Sequence, residues 1–131
     1  MISQPILELQ DINKSFGHVH ANKNISFSVS KGDIHGIIGE NGAGKSTLMS
    51  IVFGYYQADS GIIKVNNKQI DIKSPHQSIL SGIGMVHQHF MLVENFSVLE
   101  NIILGFEGGF VFGEKINQAK KDLEKLCNDY N

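Results

Sequence analysis

Gly39-Glu40-Asn41-Gly42-Ala43-Gly44-Lys45-Ser46-Thr47 matches the pattern G-x-x-x-x-G-K-S/T. The β-branched run from Ile34 to Ile38 leads into it, interrupted by His35 and Gly36, and suits a strand covered on both faces. Beyond it Leu48, Ile51 and Val52 fall at helical spacing, with Gly54 as the stop. Glycines let the backbone approach a phosphate closely, so successive amides from about Gly42 to Thr47 can form an anion-binding nest at a helix N-terminus. Lys45 is then placed to bridge the β- and γ-phosphates of a nucleotide, and the Ser46 hydroxyl to ligate a magnesium ion that shares them. Gly39, Glu40, Asn41, Gly42, Ala43, Gly44, Lys45, Ser46 and Thr47 are the candidate binding residues, although packing explains Thr47 equally well. At ordinary composition such a match arises by chance in roughly one chain of this size in a few hundred, which makes a mere glycine-rich turn the weaker alternative.

Outward from the loop, two runs alternate apolar and polar residues, Ile6 to Ile12 and Ile25 to Val29, and are expected as half-buried antiparallel strands. In the first, Leu7, Leu9 and Asp11 share one face, and Ile6, Glu8 and Gln10 the other. Lys31-Gly32-Asp33 reads as a turn. Gly61 to Val65, an Asn66-Asn67-Lys68 turn and Gln69 to Ile72 read as a hairpin. Ser74-Pro75 sets an N-cap before the proline favoured at the first helical position, predicting a short helix to Ser81, and Ile83 to Val86 is a further expected strand. Ser97-Val98-Leu99-Glu100 is a capping box ahead of the apolar run Ile102 to Leu104, and 105–113 reads as loop. Ile116, Ala119, Leu123, Leu126, Cys127 and Tyr130 are spaced by three and four, the pattern of an amphipathic helix. No terminator follows, which leads to the expectation of further structure beyond it.

Composition narrows the function. The chain has 131 residues, 41% of them hydrophobic, which fits one globular domain and disfavours disorder. Its net charge of -2 offers no basic field for sequence-independent nucleic-acid binding. Every cation is a lysine, so no bidentate guanidinium clamp on phosphate comes from this chain. One cysteine, Cys127, and a start without a basic or apolar leader pattern point to a reducing, cytoplasmic setting. No apolar run approaches the roughly 20 residues of a membrane span.

The loop with Leu48, the strand before it, and Gln88 closing Met85-Val86-His87-Gln88 together resemble the ATP-binding subunits of ABC transporters, across nearly the whole chain. Gly84 to Val93, followed by Phe96 to Ile102, is most similar to importers of nucleosides and simple sugars. The resemblance implies an α/β fold, a P-loop NTPase of ABC ATPase type, with an antiparallel β platform plus the start of the parallel core, truncated at the helical subdomain. It implies a partial nucleotide-binding domain over 1–131: a β-rich platform with Walker A and Q-loop in 1–90, and the start of the helical subdomain in 91–131. ATP and Mg2+ are the implied cofactors, with Lys45 and Gln88 as catalytic residues and Ser46 and Gln88 at the metal. An amide suits the Q-loop position because it donates and accepts hydrogen bonds while uncharged beside phosphate. Phe16, in Lys14-Ser15-Phe16-Gly17, falls where the family stacks an aromatic on adenine; core or loop packing is the plainer alternative. The implied partners are transmembrane permease subunits, a second ABC ATPase unit as dimer or tandem half, and indirectly a solute-binding protein, with no nucleic acid. The implied location is cytoplasmic, peripheral on the inner face of the membrane.

Against the family pattern, no Asp follows four apolar residues as a Walker B strand requires, so the general base is missing and isolated turnover is not expected. Leu80-Ser81-Gly82-Ile83-Gly84 only superficially resembles the LSGGQ signature, and it precedes Gln88 instead of following it. The pairs His18/His20 and His87/His89 lack a third ligand at recognisable spacing and read as surface histidines rather than a zinc site. Two other classes remain open at this point: a nucleotide kinase or GTPase, and a truncated nucleotide-binding module without turnover. Arginine clamps are absent, and Asn67-Lys68-Gln69-Ile70-Asp71 misses the guanine-reading Asn-Lys-x-Asp by one position.

Overall fold

A computed structural model describes residues 4–87, 92–104 and 114–130. It contains two units, Met1–Val86 and His87–Asn131. In the first, strands β1 (Pro5–Phe16), β2 (Val19–Ser30), β3 (Ser60–Val65) and β4 (Lys68–Ile70) form one sheet in the order β2-β1-β3-β4, every pairing antiparallel. The β3–β4 turn is Asn66-Asn67 with both residues at positive φ, 49° and 63°, the mirror-image turn whose twist matches that of the flanking strands.

β1 and β2 are each 12 residues long, well beyond the alternating runs. The extra length is possible because four register shifts, two with the surplus residue on β1 and two with it on β2, offset one another. Between Leu9↔Phe27 and Ile12↔Ile25, β1 carries one residue more than β2. The surplus falls at Asp11, at φ 49°, whose N–H donates to Ser26 Oγ at 2.8 Å. Between Ile12↔Ile25 and Lys14↔Asn22 the surplus falls on β2, at Asn24, whose N–H donates to Asn13 Oδ1 at 2.9 Å. Strict alternation would have turned Asp11 toward the core; the bulge leaves Asp11 exposed and buries Ile12 at 0% exposure instead.

Helix α1 (Lys45–Phe53) lays Leu48, Ile51 and Val52 on Leu9, Ile12 and Ile63 of the sheet and on Ile72. Gly54 ends it in the left-handed conformation, with Gly54 N–H on Ile51 O and Tyr55 N–H on Ser50 O. Helix α2 (Pro75–Leu80), capped by Ser74, packs on that end through the fully buried Ser78, whose Oγ donates to Val52 O at 3.3 Å. Ile12→Ala is expected to cost about 2–4 kcal/mol, read from a denaturant midpoint, because Ile12 is fully buried in the cluster formed with Leu9, Ile63 and the α1 residues Leu48, Ile51 and Val52, and truncating it leaves a void there.

The expected strands at 34–38 and 83–86 are not part of the sheet. Ile34 and Ile38 are 102% and 97% exposed, and Ile38 lines an open recess of about 280 Å³ together with Ile25 and Phe27 of β2. The physical reason is that a strand exists only by pairing, and no described segment runs alongside either one. His35 stacks on Phe27 with ring centroids 5.0 Å apart.

In the second unit, Ser97 and Glu100 form the expected capping box at the start of α3 (Val98–Ile103), with Ser97 N–H on Glu100 Oε2 at 2.7 Å. These bonds from Ser97 hold the Glu100 carboxyl below its ordinary range. Asn101 ties the preceding loop down, accepting from Val93 N–H at 2.8 Å and donating to the carbonyls of Val93, Phe96 and Ser97. Helix α4 (Glu114–Tyr130) covers the predicted amphipathic segment, with Ala119 and Leu123 half-buried and Leu126 and Cys127 exposed. The expected loop at 105–113 lies outside the described residues.

Candidate nucleotide site

The loop 39–44 enters α1 through two left-handed residues, Gly42 at φ 87° and Gly44 at φ 86°. At Gly44 the requirement for glycine is absolute in space as well as in backbone angle: a Cβ there would lie 2.0 Å from Ala21 O. Gly44 is the N-cap residue and supplies no side-chain cap, and the first helical bond is Leu48 N–H to Gly44 O at 2.9 Å. The amides of Lys45, Ser46 and Thr47 therefore have no acceptor within the helix and stand at its positive end. Lys45 curls back across the loop and donates from Nζ to Gly39 O at 2.6 Å and Glu40 O at 2.7 Å. A turn bond from Ala43 N–H to Glu40 O at 3.1 Å sets the curvature beneath it. Glu40, Asn41, Gly42, Ala43 and the Ser46 residue face solvent, whereas Thr47 is half-buried. An ammonium, three orphan amides and a helix dipole meeting at an open loop constitute a site for a multiply charged anion.

Two residues unmarked in the sequence hold this loop from behind. Ala21 presses its carbonyl on Gly44, and Asn22 Nδ2 donates to Gly44 O at 3.1 Å. Nothing in a one-dimensional pattern reveals them, because the bulge at Asn24 decides that Asn22 turns inward.

Phe16 sits at the end of β1, two residues on from Lys14, whose ladder partner is that same Asn22. Its ring is partly exposed and packs edge-on against Tyr56, with centroids 5.2 Å apart at 71°. Lys14 Nζ lies 5.4 Å from the Phe16 ring centroid and also donates to Asp59 Oδ1 at 2.8 Å. Asp59 Oδ2 accepts from Ser15 N–H at 2.6 Å. The Lys14 ammonium first, then the Ser15 amide, hold the Asp59 carboxyl below its ordinary range. A carboxyl lowered in the folded state contributes stability above its unfolded pKa, about 3.9, and that contribution is lost as pH falls through the lower folded value. The difference in unfolding temperature between the wild type and Asp59→Asn is thus expected to be full at neutral pH and to shrink as pH falls below about 4. A difference independent of pH would contradict it. His20 is engaged locally, its Nδ1 2.9 Å from Ser15 Oγ. Gln88 and His89 lie outside the described residues.

A sequence profile of the family described as ABC transporter matches residues 22–131. The chain belongs to the ABC transporter family. It is 54% identical over 102 residues to the guanosine import ATP-binding protein NupO of Bacillus subtilis, covering 78% of this chain and 20% of that protein. It is 43% identical over 130 residues to the nucleoside import ATP-binding protein NupA of Lactococcus lactis subsp. cremoris, covering 99% of this chain and 26% of that protein. Among solved structures, a nucleotide-free ATP-binding cassette from an ABC transporter matches with 33% identity and a TM-score of 0.79, over 97% of this chain and 56% of that one. The chain thus spans a fifth to about a quarter of the length of these two curated relatives. The kinase and GTPase alternatives fall with this assignment.

Within this ABC chain the signature-like Leu80–Gly84 stretch has a local explanation. Gly82 N–H bonds Ile79 O and Ile83 N–H bonds Ser78 O, both at 2.9 Å, the pairing of a left-handed helix end that closes α2. Among the described residues no helix is long and apolar enough to cross a membrane.

Proposed function

We propose that the chain binds Mg-ATP as the nucleotide-gripping part of an ABC ATPase that powers the import of a nucleoside or simple sugar. The observation that supports it is the loop at the head of α1, where the Lys45 ammonium and the amides of Lys45, Ser46 and Thr47 stand together. In this reading Lys45 leaves the Gly39 and Glu40 carbonyls for the β- and γ-phosphates, as a charge-assisted donor exchanging neutral acceptors for anionic ones. The orphan amides take the remaining phosphate oxygens, and Phe16, packed against Tyr56, offers its ring to adenine. The Ser46 hydroxyl, exposed in the first turn, is the ligand this segment offers to Mg2+, which when bound neutralises charge between the phosphates. Gln88 is the second residue assigned to the metal and the attacking water. Hydrolysis belongs to the assembled ATPase, with a second ATPase unit and transmembrane permease subunits at the inner face of the membrane. The import relatives support the solute class.

Calorimetric titration of the full chain with Mg-ATP and with tripolyphosphate tests the reading. Saturable binding of both is expected, with Phe16→Ala weakening ATP by about tenfold, the worth of one base–aromatic stack, and leaving tripolyphosphate unchanged. Absence of heat with Mg-ATP would overturn the reading.

A further inference from the structure

Asn22 and Ser78 are the buried polar residues among the described side chains, and they differ in kind. Ser78 has its hydrogen bond; Asn22 has only half of its own. Nδ2 donates to Gly44 O, but Oδ1 is buried with no partner. An apolar residue of the same size would fill the position without leaving a buried acceptor unsatisfied, so stability does not account for an amide here. The acceptor it reaches does. Gly44 O receives both Leu48 N–H at 2.9 Å and Asn22 Nδ2 at 3.1 Å, which occupies both of its lone pairs. A trans peptide is planar, so holding the Gly44 carbonyl toward the helix and β2 directs the Lys45 N–H the opposite way, toward the open loop. The Ala21 carbonyl lies close against Gly44, at the place where a Cβ would stand, so β2 backs the loop at this residue.

We infer that Asn22 is a positioning residue of the nucleotide site: it locks the Gly44–Lys45 peptide so that the Lys45 amide, and with it the first turn of α1, is aimed at the phosphates before they arrive. The inference rests on the reading of 39–47 as a phosphate site. It predicts a pattern opposite to that of Phe16, because the locked peptide faces phosphate and not base.

The test is Asn22→Leu in the full chain, titrated with Mg-ATP and with tripolyphosphate beside a thermal melt. Affinity for both ligands is expected to fall by the same factor, about 3–10-fold, the scale of one hydrogen bond, with an unfolding temperature equal to or above that of the wild type. Asn22→Asp keeps the shape but sets an acceptor against the Gly44 carbonyl, and its loss for both ligands must be at least as large. Wild-type affinity in Asn22→Leu, or a loss confined to ATP, overturns the inference while leaving the nucleotide reading intact. Failure of the wild type to bind either ligand removes the nucleotide reading, and the inference with it.

Discussion

Lys45→Ala is expected to weaken Mg-ATP binding by on the order of 100-fold or more, with an unfolding free energy within about 1 kcal/mol of the wild type. The two effects separate because of where the ammonium is. Nζ reaches two backbone carbonyls of an exposed loop, contacts that water can replace when the side chain is cut back. Against phosphate, the same group makes charge-assisted hydrogen bonds, each on the order of 1.5–3 kcal/mol. Two of them account for the stated loss, and no arginine elsewhere in the chain substitutes for the missing charge. Tripolyphosphate affinity should fall in parallel, since nothing about the base has changed. Equal calorimetric affinities for wild type and Lys45→Ala would sink both the role of Lys45 and the assignment of the loop.

Gly44→Ala is expected to fail more broadly, losing about 2–5 kcal/mol of stability and nucleotide binding together. Two costs coincide at this position. A φ of 86° is a conformation that an L side chain rarely adopts, and the new methyl would stand 2.0 Å from Ala21 O, a backbone atom that cannot swing aside like a side chain. Relief requires the β2 strand and the N-terminus of α1 to separate. That breaks the Asn22 bond and moves the amides of Lys45 to Thr47 off their common target. Gly42→Ala is the internal control. Its φ is 87°, almost the same, but a Cβ there meets nothing within 4 Å, so only the backbone preference of about 1–2 kcal/mol applies. Unfolding temperatures of the two variants measure the difference, which should amount to several degrees for each kcal/mol. Equal losses in Gly42→Ala and Gly44→Ala would show that the contact with Ala21 carries no weight.

The glycine loop at the head of α1 was legible because its parts act over a few residues: the glycines, the lysine at the first helical position, and the apolar spacing that follows. The same holds for the Asn66-Asn67 turn, the Ser74-Pro75 helix start, the left-handed stop at Gly54 and the capping box between Ser97 and Glu100. Each is closed by hydrogen bonds between residues two to six apart, so the chemistry of a short window suffices to specify it.

What pairs across the chain was not legible. Alternation assigned Asp11 to the core face beside Leu9, and the bulge reversed that in favour of Ile12. The apolar run at 34–38 has the composition of a buried strand, yet composition supplies no partner. The Lys14–Asp59 and Phe16–Tyr56 contacts join segments about forty residues apart in sequence. Asn22 reaches across 22 positions to Gly44. The sequence by itself determined that this protein has a glycine loop with the G-x-x-x-x-G-K-S/T pattern at the head of a helix and where each local turn and cap falls. Only the tertiary structure decided which side chains stand behind that loop, because register across a sheet is set by bulges and by the packing of distant segments, and neither is written in the residues it brings together.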